Sequence, residues 1–258
     1  MSRLLAIFSK DLKSYFFSMT AYILVTFFLL LSGFFFSTAL SYFSIYSFQL
    51  SAQPYLASQG LNLTEAVISN LFFNFAVVLL LMIPLLTMRS IAEEQKQGTY
   101  ELLLTYPVHE WEVVLGKFLA ALAVFLFMLC PTLIHIWILK GVGGVFEGGV
   151  VFAGFLGLVL LGMAFLAFGV FASALTESQI VSAVIAFGFL LLLWVVAWLA
   201  DFLPAQAALW VNEFSMIRHA EDFFKGIVEL KHVVYYLLFS CFSLLLSAWR
   251  LEGRRWVR

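Results

Sequence analysis

Apolar runs of about twenty residues alternate with short polar stretches along the whole chain. Six of them stand out, at residues 20–40, 68–88, 118–139, 150–173, 180–200 and 233–250. Each can cross a hydrocarbon core of about 30 Å at a helical rise of about 1.5 Å per residue. The pattern predicts an all-α membrane protein with six transmembrane helices.

The stretches between the runs have distinct characters. Over residues 3–17, Leu4, Leu5, Phe8, Leu12, Tyr15 and Phe16 share one helical face and Arg3, Lys10 and Lys13 the other, which predicts an amphipathic helix on the inner membrane surface. Asp11 falls within the apolar arc, where it either snorkels or pairs with a nearby base, or else meets a partner protein. Residues 41–67 carry no Lys or Arg and contain Pro54 and Gly60, which predicts an external loop. The sequon at Asn62 is a three-residue pattern common by chance. In residues 201–232, Trp210, Phe214, Ile217, Phe223 and Phe224 interleave with Glu213, Arg218, Glu221, Asp222 and Lys225. That composition predicts outer helices, re-entrant or on the membrane surface.

Within the runs, Pro84 and Pro131 predict kinks, either as hinges or as packing shape. Ala153, Gly157, Gly162, Gly169 and Ser173 give the fourth run small-residue faces for close helix contact, inside one subunit or between two. Residues 175–179 form a turn too short to do anything but join antiparallel neighbours.

Composition sharpens this picture. The chain is 64% hydrophobic with a mean hydropathy of +1.04, well beyond the roughly half-apolar content of soluble domains. Of its 14 Lys and Arg, ten (Arg3, Lys10, Lys13, Arg89, Lys96, Lys117, Arg250, Arg254, Arg255, Arg258) fall on one side of the predicted topology. The positive-inside rule makes that side cytoplasmic, with both termini on it. The first run exceeds a signal-peptide core and is expected to stay in the mature protein. Cys130 and Cys241 lie inside runs without metal-like spacing.

Enzyme motifs do not appear. There is no HExxH and no GxSxG, and Gly116-Lys117 fails as a phosphate loop because Trp111 and Phe118 stand where Gly and Ser or Thr are needed. Of four histidines only His135 lies inside a run, near its outer end, either interfacial or in a substrate path. Fixed charges deep in the runs are nearly lacking, so ion-coupled transport has no obvious relay. No cofactor is expected on this chain and no nucleic-acid partner.

The polar insert at residues 89–117 joins the second and third runs. Gly98-Thr99 offers a break and a capping hydroxyl, Glu101 lies near a helix start, Leu102, Leu103 and Leu104 supply an apolar patch, and Pro107 stops the helix. Residues 110–117 then lead into the third run, with Trp111 and Lys117 as interface anchors. The insert reads as a rigid lever that a soluble partner can push, or more simply as a link between helices.

The stretch EEQKQGTYELLLTYPVHEWEVVLGKF resembles the cytoplasmic signature of type 2 ATP-binding-cassette (ABC) transporter permeases. Glu93, Glu94, Gly98, Thr99, Glu101, Leu102, Leu103, Pro107, Gly116 and Lys117 occupy its positions. KDLKSYFFSMTAYI at 10–23, EDFFKGIVELKHVVYY at 221–236 and LEGRRW at 251–256 are similar to the gliding-motility-associated subgroup, with His232 where an acidic residue is expected.

The resemblance implies a surface helix over 1–19, a six-helix permease domain over 20–258 with a coupling insert at 89–117, and an outer helical segment at 201–232. It implies two permease subunits, identical or related, with two cytoplasmic ATPase subunits that bind ATP and magnesium. An outer auxiliary subunit is a further candidate partner, and the bacterial inner membrane the expected location. Glu93, Glu94 and Glu101 would then meet basic residues on the ATPase rim while Leu102 and Leu103 carry the contact. The competing function is a membrane scaffold that transmits force or signal through the same insert without moving cargo.

Overall fold

The computed structural model describes residues 3–52, 63–99, 109–143, 147–200 and 202–256. Among these the chain is helical, without strands: α1 Arg3–Phe17, α2 Met19–Ala52, α3 Leu63–Thr87, α4 Ala92–Lys96, α5 Glu110–Leu129, α6 Leu133–Gly141, α7 Gly148–Leu175, α8 Gln179–Ala200, α9 Ala205–Phe214, α10 Met216–Phe224 and α11 Leu230–Trp256. Among the described residues six stretches are long and apolar enough to cross a membrane, and they coincide with the six runs of the sequence.

The expected external loop at 41–67 is corrected at both ends, since 41–52 continue α2 and 63–67 already belong to α3. Helix α2 runs 34 residues to Ala52, a length of about 51 Å that exceeds a hydrocarbon core. Its polar residues bend back on the helix: Ser41 Oγ donates to the Ser37 carbonyl and Ser44 Oγ to the Ser41 carbonyl, at 2.9 and 2.8 Å. Hydroxyls satisfied in this way let a serine-rich segment stay helical, and no Gly or Pro interrupts it before Pro54. Residues 53–62, with Pro54, Gly60 and Asn62, lie outside the described residues.

The two prolines behave differently. Pro84 sits inside an unbroken α3, whereas Pro131 opens a 3₁₀ turn, Cys130–Thr132, that separates α5 from α6. His135, on α6, stacks on Phe36 at 4.6 Å, and its Nδ1 has no hydrogen-bond partner among the described residues.

The core is built around α7, whose glycines are seats for neighbours in the same subunit. A Cβ at Gly154 would lie 2.0 Å from the Phe72 ring on α3, one at Gly162 2.2 Å from Phe125 on α5, and one at Gly157 2.5 Å from Phe223 on α10. Gly169 faces the Thr87 hydroxyl in the same way, at 2.1 Å. The small-residue faces are therefore spent within the subunit, the first of the two alternatives. By contrast α2 and α8 bury little of their apolar surface, with about a quarter of each span covered.

The segment between α8 and α11 holds two short helices, α9 and α10, parted at Ser215, whose hydroxyl accepts from the Arg218 amide. One face of α10, with Ile217, Ala220, Phe223 and Phe224, is fully buried. Ser69 Oγ on α3 donates to the Phe224 carbonyl at 2.8 Å, and Tyr236 Oη on α11 donates to the Met216 carbonyl at 2.7 Å. Helix α10 is thus pinned to the start of α3, at the opposite end of that helix from the polar insert.

Candidate functional site

The root of the polar insert is a buried charge cluster. Lys117, about two turns into α5 and directly after Gly116, is only 3% exposed. Its Nζ donates to the Ser90 carbonyl at 2.7 Å and contacts Glu94 Oε2 at 2.9 Å and Asp11 Oδ2 at 3.2 Å. Lys10 Nζ reaches the other oxygen of Glu94 at 2.9 Å. Two cations and two carboxylates from α1, α4 and α5 make a neutral quartet, the condition under which burying charge is tolerable.

The cluster corrects one reading of the sequence and settles two neighbouring side chains. Lys117 is a buried cross-link, not an interface anchor, because its ammonium has anionic partners below the surface and no reason to seek water. Asp11 pairs with a base, the first of its two alternatives. Glu94 spends its carboxylate within the chain, on Lys10 and Lys117, and so does not face outward. Glu93 stays half-exposed, accepting a hydrogen bond from Gln97 Nε2 at 3.3 Å.

Neighbouring groups lock this arrangement. Ser173 Oγ, at the end of α7, accepts from the Ile91 and Ala92 amides at 2.9 Å each and donates to the Met88 carbonyl at 3.2 Å. It caps α4 from another helix, since Ile91 has no side chain able to do so. Gln95 Nε2 donates to the Ala174 carbonyl, Tyr15 Oη to the Leu86 carbonyl, and Arg89 Nε to Gln179 Oε1. Gly98 ends α4 at φ +69°, a left-handed conformation that glycine adopts without cost. The Thr99 hydroxyl donates back to the Glu94 carbonyl at 3.4 Å, serving the helix behind it.

On the far side of the insert, the Glu112 carboxylate accepts from the His109 amide at 3.0 Å and fixes the start of α5. A Cβ at Gly116 would stand 2.8 Å from Ile7 Cγ2, so the glycine lets α1 lie directly against α5 and brings Asp11 within reach of the next residue, Lys117. Glu101, Leu102, Leu103 and Pro107 lie outside the described residues.

Electrostatics follow from burial. Asp11 is held above the ordinary carboxylate range, chiefly by burial and further by Glu94, against the pull of Lys117 and Lys10. Burial works to lower Lys10, but its hydrogen bond and charge contact with Glu94 prevail and raise it. Burial and the charge of Asp11 push the Tyr15 phenol up, so it stays a neutral donor. A polar cleft of about 430 Å³ opens beside the quartet, lined by Lys10, Asp11, Arg89, Glu93, Glu94 and Thr99 among others. The cluster holds no nucleophile and base in a catalytic relation. What it can do is transmit displacement: residues 95–116 leave and return through the Glu94–Lys117 pair, and α1, α3, α5 and α7 all meet there.

Among the described residues, six helices long and apolar enough to cross a membrane, with a cross-linked polar insert between the second and third, define a multi-pass membrane protein. The family model described as ABC-2 family transporter protein matches residues 5–240, and the chain belongs to that family. It is therefore a membrane permease component of an ABC transporter, a part without its own nucleotide-binding domain that works with an ABC ATPase. No curated protein matches the chain significantly.

The sequence pointed to Glu93, Glu94, Gly98, Thr99 and Lys117 as one group, and the structure gathers these five around the root of the insert. It missed Ser173, Ser90, Tyr15 and Lys10. The one available signal was Asp11, a lone carboxylate on an apolar face that required a buried base.

Proposed function

We propose that this chain is the permease subunit of an ATP-driven exporter that moves a hydrophobic or polymeric substrate out of the cytoplasm or inner leaflet. Two copies, or one copy and a related chain, pair with two ATPase subunits in a bacterial inner membrane, with both termini cytoplasmic. The observation that carries the reading is the buried Lys117 bridging Glu94 and Asp11. A pliant linker has no need of such a cross-link, whereas a lever needs a stiff root. ATP and magnesium are bound on the ATPase, and its motion enters through residues 98–106, where Leu102 and Leu103 fill a groove. Glu93 and Glu101 face basic residues on the groove's rim, while Glu94 holds the root.

The exposed Leu209, Trp210 and Phe214 of α9 suit either the bilayer or an outer auxiliary subunit. The likeness of 10–23, 221–236 and 251–256 to gliding-motility permeases favours that subgroup and keeps a force-transmitting role in view.

Gentle extraction of the tagged chain from native membranes, followed by mass spectrometry and reconstitution in liposomes, tests the proposal. ATP-dependent movement of a lipid-like or polymeric cargo by a complex containing an ABC ATPase is the expected result. Hydrolysis that depends on this chain while no such cargo moves would replace the exporter with the scaffold.

A further inference from the structure

At the end of the molecule opposite the quartet, two histidines meet nitrogen to nitrogen. His219 on α10 and His232 on α11 are 4% and 3% exposed, and their Nδ1 atoms lie 2.5 Å apart. The far nitrogen of each ring is already assigned by what it faces. His219 Nε2 lies 3.0 Å from the Glu213 backbone carbonyl, which can only accept, so it carries a hydrogen. His232 Nε2 lies 2.9 Å from the Asp222 carboxylate and 3.7 Å from that of Glu229, anionic neighbours that favour a hydrogen on it too. Two neutral rings in these tautomers would set lone pair against lone pair across the 2.5 Å gap. One added proton removes the conflict, giving an N–H···N bond whose positive charge is balanced by Asp222.

We propose that His219 and His232 form a one-proton latch: a single proton shared between their Nδ1 atoms holds α10 against α11, and either losing it or adding a second parts the two helices. A second proton would set N–H against N–H. The groups around the pair are Glu213, Arg218, Glu221, Asp222 and Lys225 from α9, α10 and the residue after it, and Glu229, Lys231, Tyr235 and Tyr236 from α11 and the residue before it. Arg218 pairs with Glu221, and Lys231 with Glu229. Asp222 is thus the carboxylate nearest the latch. Tyr235 stacks on His219 at 4.0 Å, and its hydroxyl donates to the Phe214 carbonyl, so the ring cannot swing away to relieve a bad contact.

Burial, with the neighbouring His232 charge, holds His219 below the ordinary imidazole range, which opposes a full charge on the His219 ring itself. Helix α10 also fills the Gly157 seat on α7 through Phe223, so parting it would unpack the outer end of the bundle and widen an outward-facing cleft of about 400 Å³. Among the described residues no group of three or more side chains is placed to hold a metal, which favours a proton as the bridging cation. The latch goes beyond the permease reading and stands if that reading fails.

The chain has 4 histidines, so the full-length protein labelled with 15N-histidine in nanodiscs gives a tractable spectrum. Scanned from about pH 5 to pH 9, where imidazoles titrate, two Nδ1 signals should be scalar-coupled through one proton over an intermediate window. The coupling should vanish on both sides of it, with faster amide exchange over 216–236 each time. Two uncoupled rings, both neutral and protonated on Nε2 throughout the scan, would overturn the latch. So would a pair indifferent to pH whose Nδ1 signals move on addition of Zn²⁺, since the bridge would then be a metal. His232→Gln, which keeps a donor and an acceptor but does not titrate, should abolish the two-sided pH response.

Discussion

The ammonium of Lys117, on the third span, lies 2.9 Å from the carboxylate of Glu94, on the helical turn that follows the second. The pair closes the polar insert at its root, and through Asp11 it binds the first helix to the same point. A displacement of residues 95–116 must therefore move α1, α3 and α5 together or break a buried ion pair.

Removing the central cation should be the most damaging change in the cluster. Lys117→Met leaves Glu94 and Asp11 facing each other in a buried site, and breaking buried pairs in this way costs about 3–5 kcal/mol. Lys10→Gln, at a side chain 60% exposed, should cost no more than about 1 kcal/mol. Unfolding of the purified chain in detergent measures both, and adding Glu94→Gln to the Lys117→Met chain should recover part of the loss.

Asp11 should respond in the opposite sense. Its folded-state pKa lies above the unfolded value of 3.8, so its protonated form favours the fold and its contribution is lost as pH rises through the folded pKa. Asp11→Asn, with Lys117 still held by Glu94 and Ser90, should match or exceed the wild type in stability at pH 7. The advantage should shrink as the pH falls toward 3.8. Thermal midpoints of the two proteins across that range check the prediction.

Ser173→Ala removes the acceptor for the Ile91 and Ala92 amides in a buried site, a loss of about 1–3 kcal/mol for groups left unsatisfied. Hydrogen exchange should rise over residues 88–97 while the distant α10 keeps its protection.

The glycine seats divide cleanly. Gly154→Ala drives a Cβ into the Phe72 ring, which is itself packed against Phe155 and Phe224, and overpacking of this kind costs about 1–3 kcal/mol. Gly188→Ala meets nothing within 4 Å and should be neutral or gain up to about 1 kcal/mol from helix propensity. Unfolding of the two variants side by side distinguishes them.

The six spans were legible because hydropathy over twenty residues is a strong local signal, and the motif residues at 93–99 and 117 declared the polar insert. The cross-link itself was not legible. Asp11, Glu94 and Lys117 are far apart in sequence, and only the close approach of α1 to Gly116 brings them together. Lysine near a span end also ordinarily reaches for water, which made Lys117 look like an anchor. The extension of α2 was hidden because its serines suggest a loop until their hydroxyls are seen bonding to their own helix. His219 and His232 stand on different helices around a turn at Gly226 (φ +87°), a geometry that no spacing in the sequence announces.

Binding of the ABC ATPase to chains altered at Leu103 or Glu93 tests most directly whether the insert is the point of coupling. Leu103→Asp removes about 1.5–3 kcal/mol of apolar burial and should weaken capture of the ATPase by at least about tenfold. Glu93→Gln removes a rim contact worth about 0–1 kcal/mol and should weaken it by no more than about fivefold. The reverse order, or ATPase capture indifferent to Leu103→Asp, would contradict the account.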